Sequence, residues 1–209
     1  MMESMETYKK IFRQLRLPFD PNIAGTIDSY ISLLKKWNIR VNLIASNEWS
    51  LIEPLLLEGM WAARFYPEDS ETHLDIGSGA GFPAIPLRIM VPGLKMDMVD
   101  SRLKRISFLE TVINRLNLAE SSASHGRIED FLKINDKKWD CISWKGLKIQ
   151  TKDLLQIARH THRKTQLWIF HGNQLAAEEP EKVDKILTLV TREKFPFKSE
   201  WMLSIYRPQ

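Results

Sequence analysis

A glycine-rich loop is the segment of this sequence whose residue types and spacing most directly suggest chemistry. Glycines alternate with other residues from Gly77 to Gly81, shortly after the acidic Asp75 and shortly before Pro83. Glycine lets the backbone turn tightly and approach a ligand, because no Cβ stands in the way. Proline suits the first turn of a helix, whose free amide groups would point back at the loop. The segment therefore predicts a nucleotide cofactor at the carboxyl edge of a sheet.

The order of residues in this loop distinguishes between kinds of nucleotide cofactor. The dinucleotide fingerprint G-x-G-x-x-G, counted from Gly77, would place its third glycine at Phe82, where a bulky ring spoils the packing of helix on strand. The acid-x-G-x-G-x-G pattern instead resembles the S-adenosylmethionine (SAM) loop of class I methyltransferases. Asp100 ends the next predicted strand, where such folds place a carboxylate for the ribose hydroxyls. Walker-type phosphate binding is excluded because no G-K-[ST] follows. We therefore expect SAM rather than NAD.

Other kinds of catalytic site find little support in the sequence. His160 and His162 stand two residues apart, which is not the spacing of a helical metal pair, and no carboxylate or cysteine cluster completes a site. No catalytic triad is evident, so we expect neither metal nor triad chemistry. Cys141 has no second cysteine with which to form an internal disulfide, which fits a reducing cytoplasm. We expect its thiol to pack as a small core residue.

Composition and charge limit the class of protein further. With 209 residues, 44% of them hydrophobic and 27% charged, the chain falls in the range of globular proteins. No stretch approaches the ~18 apolar residues needed to span a bilayer, and we expect no secretory signal. The formal net charge of +4 permits an anionic partner such as nucleic acid. Basic residues cluster at Lys9, Arg13 and Arg16, at Lys35, Lys36 and Arg40, at Arg102, Lys104 and Arg105, and at residues 159–164.

The periodicity of apolar residues changes near residue 67. Before it, apolar residues recur at helical spacing in three stretches, the last of which predicts a helix over 54–65 with Pro54 in its first turn. After it, short apolar runs alternate with helical stretches, which indicates βαβ units and a parallel sheet. We therefore expect a small helical N-terminal subdomain at 1–67 and an α/β domain at 68–209. The predicted strands are 72–76, 95–100, 122–125, 139–143 and 166–170, followed by a helix near 178–187 and a terminal antiparallel strand or hairpin over 201–206 at the sheet edge.

Three strings of residues are specific in their combination. They are G-S-G-A-G-F-P-A-I-P-L at 77–87, D-S-R-L-K-R-I-S-F-L at 100–109 and H-G-R-I-E at 125–129. With these strings, and with a helical motif at 30–43, the sequence resembles the RsmG/GidB family of bacterial small-subunit ribosomal RNA guanine-N7 methyltransferases. The resemblance extends from about residue 27 to 172. It implies a Rossmann-like class I methyltransferase fold of the α/β class, with a mostly parallel seven-stranded sheet and helices on both faces.

The resemblance also implies roles for individual residues. The residues assigned to SAM are Asp75, Gly77, Ser78, Gly79, Gly81, Phe82, Asp100, Ser101, Ile128 and Glu129. Among them Asp100 would meet the ribose, and Ile128 and Glu129 would lie against the adenine. Those assigned to RNA phosphates are Lys104, Arg105 and Arg127, although Lys104 and Arg105 also suit a solvated helix start. The implied acceptor, guanine N7, already offers an in-plane lone pair, so the enzyme mainly has to align it with the methyl group.

Three positions depart from the family's pattern. After the strand predicted to end at Ser143, the family carries an arginine near the cofactor and the target base, and this chain has Trp144 and Lys145. Lys145 could supply the charge, and Trp144 could stack on a base or simply pack, so both are candidate catalytic residues. The third-helix motif lacks its histidine and serine over 55–59, and His171 replaces a lysine.

The sequence leaves three functions open. The leading hypothesis is methylation of guanine N7 in small-subunit ribosomal RNA. The others are a SAM-dependent methyltransferase with a different substrate and a SAM-binding protein without transferase activity. Under the leading hypothesis we expect ribosomal RNA or the small ribosomal subunit as partner. We also expect a cytoplasmic monomer that uses no metal and no membrane.

Overall fold

Seven strands form one sheet in the part of the chain that the computed structural model describes, residues 4–172, 186–198 and 200–209. The helices are Met5–Gln14 (α1), Pro21–Val41 (α2), Trp49–Ala62 (α3), Ala84–Met90 (α4), Leu103–Arg115 (α5), Ile128–Lys133 (α6) and Thr151–Ala158 (α7), with a 3₁₀ turn at Ala63–Phe65. The strands are Thr72–Ile76 (β1), Lys95–Asp100 (β2), Ser121–His125 (β3), Cys141–Lys145 (β4), Gln166–His171 (β5), Leu187–Lys194 (β6) and Met202–Pro208 (β7).

The sheet has the order β3-β2-β1-β4-β5-β7-β6. The first five strands in this order are parallel, whereas β7 pairs antiparallel with both β5 and β6. This arrangement confirms the predicted mostly parallel seven-stranded sheet. The predicted terminal hairpin is present as β6–β7, but β6 rather than β7 forms the edge. The helix expected near 178–187 lies outside the described residues up to 185, and Leu187 begins β6.

The third helix begins earlier than the sequence predicted. It starts at Trp49, so Pro54 lies inside the helix and the prediction of a start at Pro54 was wrong. Proline at this position removes one backbone hydrogen bond. The preceding turn still carries Ile52, which is fully buried and extends the apolar face of the helix. Burial of that face offsets the lost hydrogen bond, since tertiary packing supplies most helical stability.

Helices cover both faces of the sheet. Side chains of a strand alternate between faces, so neighbouring residues enter different cores. One core joins the apolar faces of α1–α5 to sheet residues such as Met98 and Trp168. The other joins α6 and α7 to sheet residues such as Ile76 and Trp144. The first core runs without interruption from the N-terminal helices into the sheet, so residue 67 marks a change of secondary structure rather than of core.

Candidate functional site

The glycine loop turns sharply between β1 and α4. Gly77 has φ +70° and Gly81 has φ +87°, in the left-handed region that favours glycine. Space is also short at both positions. A Cβ on Gly77 would lie 2.5 Å from Cδ1 of Leu147, and one on Gly81 would lie 2.6 Å from Cγ1 of Ile85. Both conformation and contacts therefore require glycine in this loop.

Asp100, at the end of β2, holds this loop and the start of α5 together. Its carboxylate is almost fully buried, with 3% of the side chain exposed. Oδ2 accepts hydrogen bonds from the Gly79 amide at 2.9 Å and from Nη1 of Arg105 at 3.2 Å. Oδ1 accepts one from the amide of Arg102 at 2.9 Å. Since each oxygen has two acceptor positions, only Oδ1 keeps one that is not used by these three bonds.

A cavity of about 630 Å³ opens beside this carboxylate. Five of the residues assigned to the cofactor line it, from the ends of β1 and β2 and the start of α6. They are Gly77, Asp100, Ser101, Ile128 and Glu129. Its size falls within the range of small-molecule sites. It combines an apolar wall at Ile76, Val99 and Ile128 with a larger set of polar and charged side chains, to which Asp100 belongs. The cavity therefore fits a nucleoside whose ribose meets Asp100.

The other residues assigned to the cofactor support the loop without lining the cavity. The Gly79 amide is bonded to Asp100, and Gly81 packs against α4. The Ser78 hydroxyl donates to the Asp75 carbonyl at 2.9 Å. Phe82 is buried, with its ring 5.3 Å from that of Tyr30. Asp75 is buried and faces β4. The side chains of Ser78, Phe82 and Asp75 therefore make contacts inside the protein, and their assignment to SAM stays a prediction.

Asp75 belongs to a buried polar network beneath the site. Ser143 donates to Oδ1 of Asp75 at 2.6 Å, and Nε2 of His73 lies 2.7 Å from the Ser143 hydroxyl. Since the hydroxyl proton is given to the carboxylate, His73 must donate through Nε2. Burial raises the pKa of Asp75 to about 6 and lowers that of His73 to about 3. Neither His73 nor Ser143 was predicted as part of the site, and their positions in the adjacent strands β1 and β4 were the available signal.

The two candidate catalytic residues at the end of β4 point to opposite faces of the sheet. Trp144 is 4% exposed and belongs to the core beneath α6 and α7. It packs, so base stacking by Trp144 does not fit this structure. Lys145 lies on the other face, where its ammonium pairs with the carboxylate of Glu58 on α3. The alternation of side chains along the strand explains why only one of the two residues faces the N-terminal helices.

The basic residues assigned to RNA occupy two different positions. Lys104 and Arg127 are exposed, and Arg127 lies at the rim of the cavity. Arg105 is turned inward to Asp100, with 25% of its side chain exposed. Arg105 was expected to face RNA and instead forms an ion pair with Asp100, because the first turn of α5 follows Asp100 directly. Leu147 and His125 also line the cavity and were not predicted from the sequence. His125 ends β3 and Leu147 follows the end of β4, and this position at strand ends was the signal for them.

Two further features of the described residues bear on the kind of site. No group of three or more histidine, cysteine, aspartate or glutamate side chains is placed to hold a metal ion within residues 4–172, 186–198 and 200–209. Among the helices in these same ranges, none is long and apolar enough to cross a bilayer.

Solved structures share the fold at low sequence identity. One is a ribosomal protein L11 methylase from Lactobacillus delbrueckii subsp. bulgaricus. It is 12% identical at a TM-score of 0.59, with 75% of this chain and 79% of that one covered. Another is the glycopeptide N-methyltransferase MtfA in complex with SAM, 10% identical at a TM-score of 0.60, with 73% and 95% covered. These similarities show a class I methyltransferase fold.

Sequence comparisons define the family. A ribosomal RNA small subunit methyltransferase G from Lachnoclostridium phytofermentans is 32% identical over 190 residues, which cover 89% of this chain and 78% of that protein. The family model GidB, described as rRNA small subunit methyltransferase G, matches residues 24–202. This range contains the glycine loop, Asp100 and the lining residues of the cavity. The chain therefore belongs to the GidB family.

Proposed function

We propose that this protein is a methyltransferase that uses SAM to methylate N7 of a guanine in small-subunit ribosomal RNA. The observation that carries the proposal is the cavity beside Asp100 and the glycine loop, in a chain whose residues 24–202 match the GidB family. The relative from Lachnoclostridium phytofermentans is named for activity on ribosomal RNA of the small subunit. A ribosomal substrate also places the proposed activity in the cytoplasm, and a monomer remains a prediction.

Different residues of the cavity are assigned to different parts of the cofactor. Asp100 would accept hydrogen bonds from the ribose, and Ile128 would offer an apolar surface to the adenine. Gly77 leaves room for close approach of the ligand to the end of β1, where Leu147 forms the opposite wall. When bound, SAM supplies a methyl group on a positively charged sulfur, which makes that group electrophilic.

The protein contributes alignment rather than proton transfer. Guanine N7 carries its lone pair in the plane of the ring, so no proton has to be removed before it attacks. Holding the two reactants in line is worth up to ~7–11 kcal/mol of the barrier when alignment is good. The tight packing of α3 against the loop supplies the rigidity that alignment needs, since a Cβ on Gly59 would lie 2.6 Å from the Pro83 carbonyl.

Exposed cations beside the cavity provide the RNA-binding side of the proposal. Lys104 lies in the first turn of α5 and Arg127 precedes α6, so both project from the carboxyl edge of the sheet. Ammonium and guanidinium groups bind phosphates with a strong dependence on salt. Lys145 at the end of β4 is the remaining candidate catalytic residue, since Trp144 is buried on the other face.

Methyl transfer with nucleoside analysis tests this function. Purified protein is incubated with labelled SAM and with small subunits or free rRNA from a strain without the family's modification, and the RNA is digested to nucleosides. We expect label in 7-methylguanosine, and loss of both label and SAM binding in Asp100→Ala. Label in a different nucleoside would show another methyltransferase activity. SAM binding without any transfer would show a binding protein and would contradict the proposal.

A further inference from the structure

A buried carboxylate fixes the position of the Lys145 ammonium. Glu58 on α3 is 2% exposed, and both of its oxygens are used. Oε2 accepts from Nζ of Lys145, and Oε1 accepts from the indole N–H of Trp201. Nζ of Lys145 also lies 5.4 Å from the centre of the Trp201 ring. A flexible lysine side chain is thus held between two partners from distant parts of the chain.

The order of the strands places the Lys145 ammonium near the cavity. β1 lies between β2, which carries Asp100, and β4, which ends at Lys145. The pairing of Ile76 with Trp144 places Lys145 beside Gly77. Two residues further on, Leu147 covers Gly77 and lines the cavity. A ligand whose ribose meets Asp100 therefore has its opposite end toward β4, next to the ammonium.

The ammonium remains available to a substrate. Lys145 keeps 19% of its side chain exposed, whereas Glu58 keeps 3%. An ammonium group has three N–H donors and no acceptor, and Glu58 uses one donor. The group can therefore donate to a second acceptor that approaches from the exposed side.

Guanine and adenine present opposite groups to such a donor. Beside N7, guanine carries the O6 acceptor, whereas adenine carries the N6 amino donor. An ammonium beside N7 therefore favours guanine and disfavours adenine. Methylation at N7 also makes the base cationic, and an isolated ammonium would oppose that charge. The carboxylate of Glu58 offsets this repulsion, so the ion pair offers a donor with little net charge.

We propose that Lys145, positioned by Glu58 and Trp201, selects guanine by donating a hydrogen bond to O6. This inference rests on the proposed function and names a determinant of its base specificity. Lys145 contacts the base, whereas Glu58 and Trp201 are positioning residues. The indole N–H satisfies the carboxylate oxygen that the lysine leaves free.

Substituted RNA fragments test the O6 contact directly. After the methylated position is mapped, fragments are prepared with guanine, inosine or 2-aminopurine at that position. Inosine keeps O6 and N7, whereas 2-aminopurine keeps N7 and lacks O6. For the wild type we expect kcat/KM on inosine within about threefold of that on guanine. On 2-aminopurine we expect kcat/KM to be at least about fivefold lower, since the O6 acceptor is missing.

The variants show whether Lys145 causes the preference. In Lys145→Met we expect kcat/KM on guanine and on 2-aminopurine to lie within about threefold of each other. The two bases also differ in the reactivity of N7, and comparing the ratio of kcat/KM values between variant and wild type removes that difference. Lys148→Met, an exposed lysine on the next segment, is the matched control and should keep the full preference. In Glu58→Gln we expect kcat to fall and KM for RNA to stay nearly unchanged, because the ammonium is held but no longer neutralised.

Folding of the variants is checked by SAM binding. If Lys145→Met does not fold because Glu58 is left buried without a partner, the double variant Glu58→Met/Lys145→Met removes both charges and should also lose the preference. An unchanged preference in a folded variant that lacks Lys145 would overturn this inference alone. Failure of the wild type to methylate guanine at all would overturn the proposed function and this inference with it.

Discussion

Arg105 is expected to compete with the cofactor for Asp100. Oδ2 of Asp100 already accepts two hydrogen bonds, from the Gly79 amide and from Arg105. If the two ribose hydroxyls each take one carboxylate oxygen, the hydroxyl at Oδ2 must displace Arg105, because the Gly79 amide is fixed in the loop. Because a quarter of the Arg105 side chain is exposed, we take its pair with Asp100 to be worth ~1 kcal/mol. Removing it should tighten SAM binding by up to about fivefold, since ~1.4 kcal/mol is a factor of ten.

Calorimetric titration of SAM into Arg105→Met measures this effect. The matched control is Lys104→Met, an exposed cation in the same turn of α5 that is not among the lining residues of the cavity. We expect a lower Kd for Arg105→Met and an unchanged Kd for the control. Once displaced, Arg105 becomes available to RNA phosphate, so the salt dependence of RNA binding measured with SAM present should weaken by about one unit of slope in the Arg105 variant.

The direction in which SAM affinity changes in Arg105→Met distinguishes between the possible roles of this arginine. An arginine that binds the cofactor directly would give weaker SAM binding when it is removed. An arginine with no relation to the ribose position would give no change. Either result, in a variant that is folded as judged by its unfolding curve, would refute the assignment of both ribose hydroxyls to Asp100.

Two further predictions concern the structure around the site. Gly59→Ala should destabilise the protein by ~1–3 kcal/mol, because its Cβ would press on the Pro83 carbonyl. Gly25→Ala in α2 has open space around it and should stabilise the protein by up to ~1 kcal/mol. Urea unfolding of both variants measures these changes, and effects of the same sign would contradict the packing. Burial raises the pKa of Asp75 to about 6, so its contribution to stability is full below the unfolded pKa of about 3.9 and is lost as the pH rises through 6. The unfolding free energy of wild type minus that of Asp75→Asn should therefore fall by up to ~3 kcal/mol between pH 4 and pH 7, and a constant difference would contradict the buried carboxylate.

The fold could be predicted to a large extent because its signals are local. Glycine spacing after an apolar run located the β1–α4 turn, and the alternation of strands with helices indicated the parallel sheet. The start of α3 could not be predicted in this way. The rule against proline inside a helix is local, whereas burial of Ile52 against the rest of the core is a tertiary effect.

The site was predictable only in part, because side-chain direction depends on where strands end. β4 was expected to end at Ser143 and extends to Lys145, so Trp144 and Lys145 alternate between faces instead of sharing a loop. The ion pair between Lys145 and Glu58 joins residues far apart in sequence, and only the packing of α3 on the sheet brings them together. The Arg105–Asp100 pair could more easily have been predicted from the sequence, since the two residues stand on either side of the start of α5.

Mapping of 7-methylguanosine in cells tests the central claim most directly. The chain is expressed in bacteria that lack their own GidB-family enzyme, and small-subunit rRNA is treated with borohydride and aniline, which cleave at 7-methylguanosine. We predict one new cleavage position with the wild type and none with Asp100→Ala. Intact rRNA from cells that contain wild-type protein able to bind SAM would contradict the assignment of guanine-N7 methylation to this site.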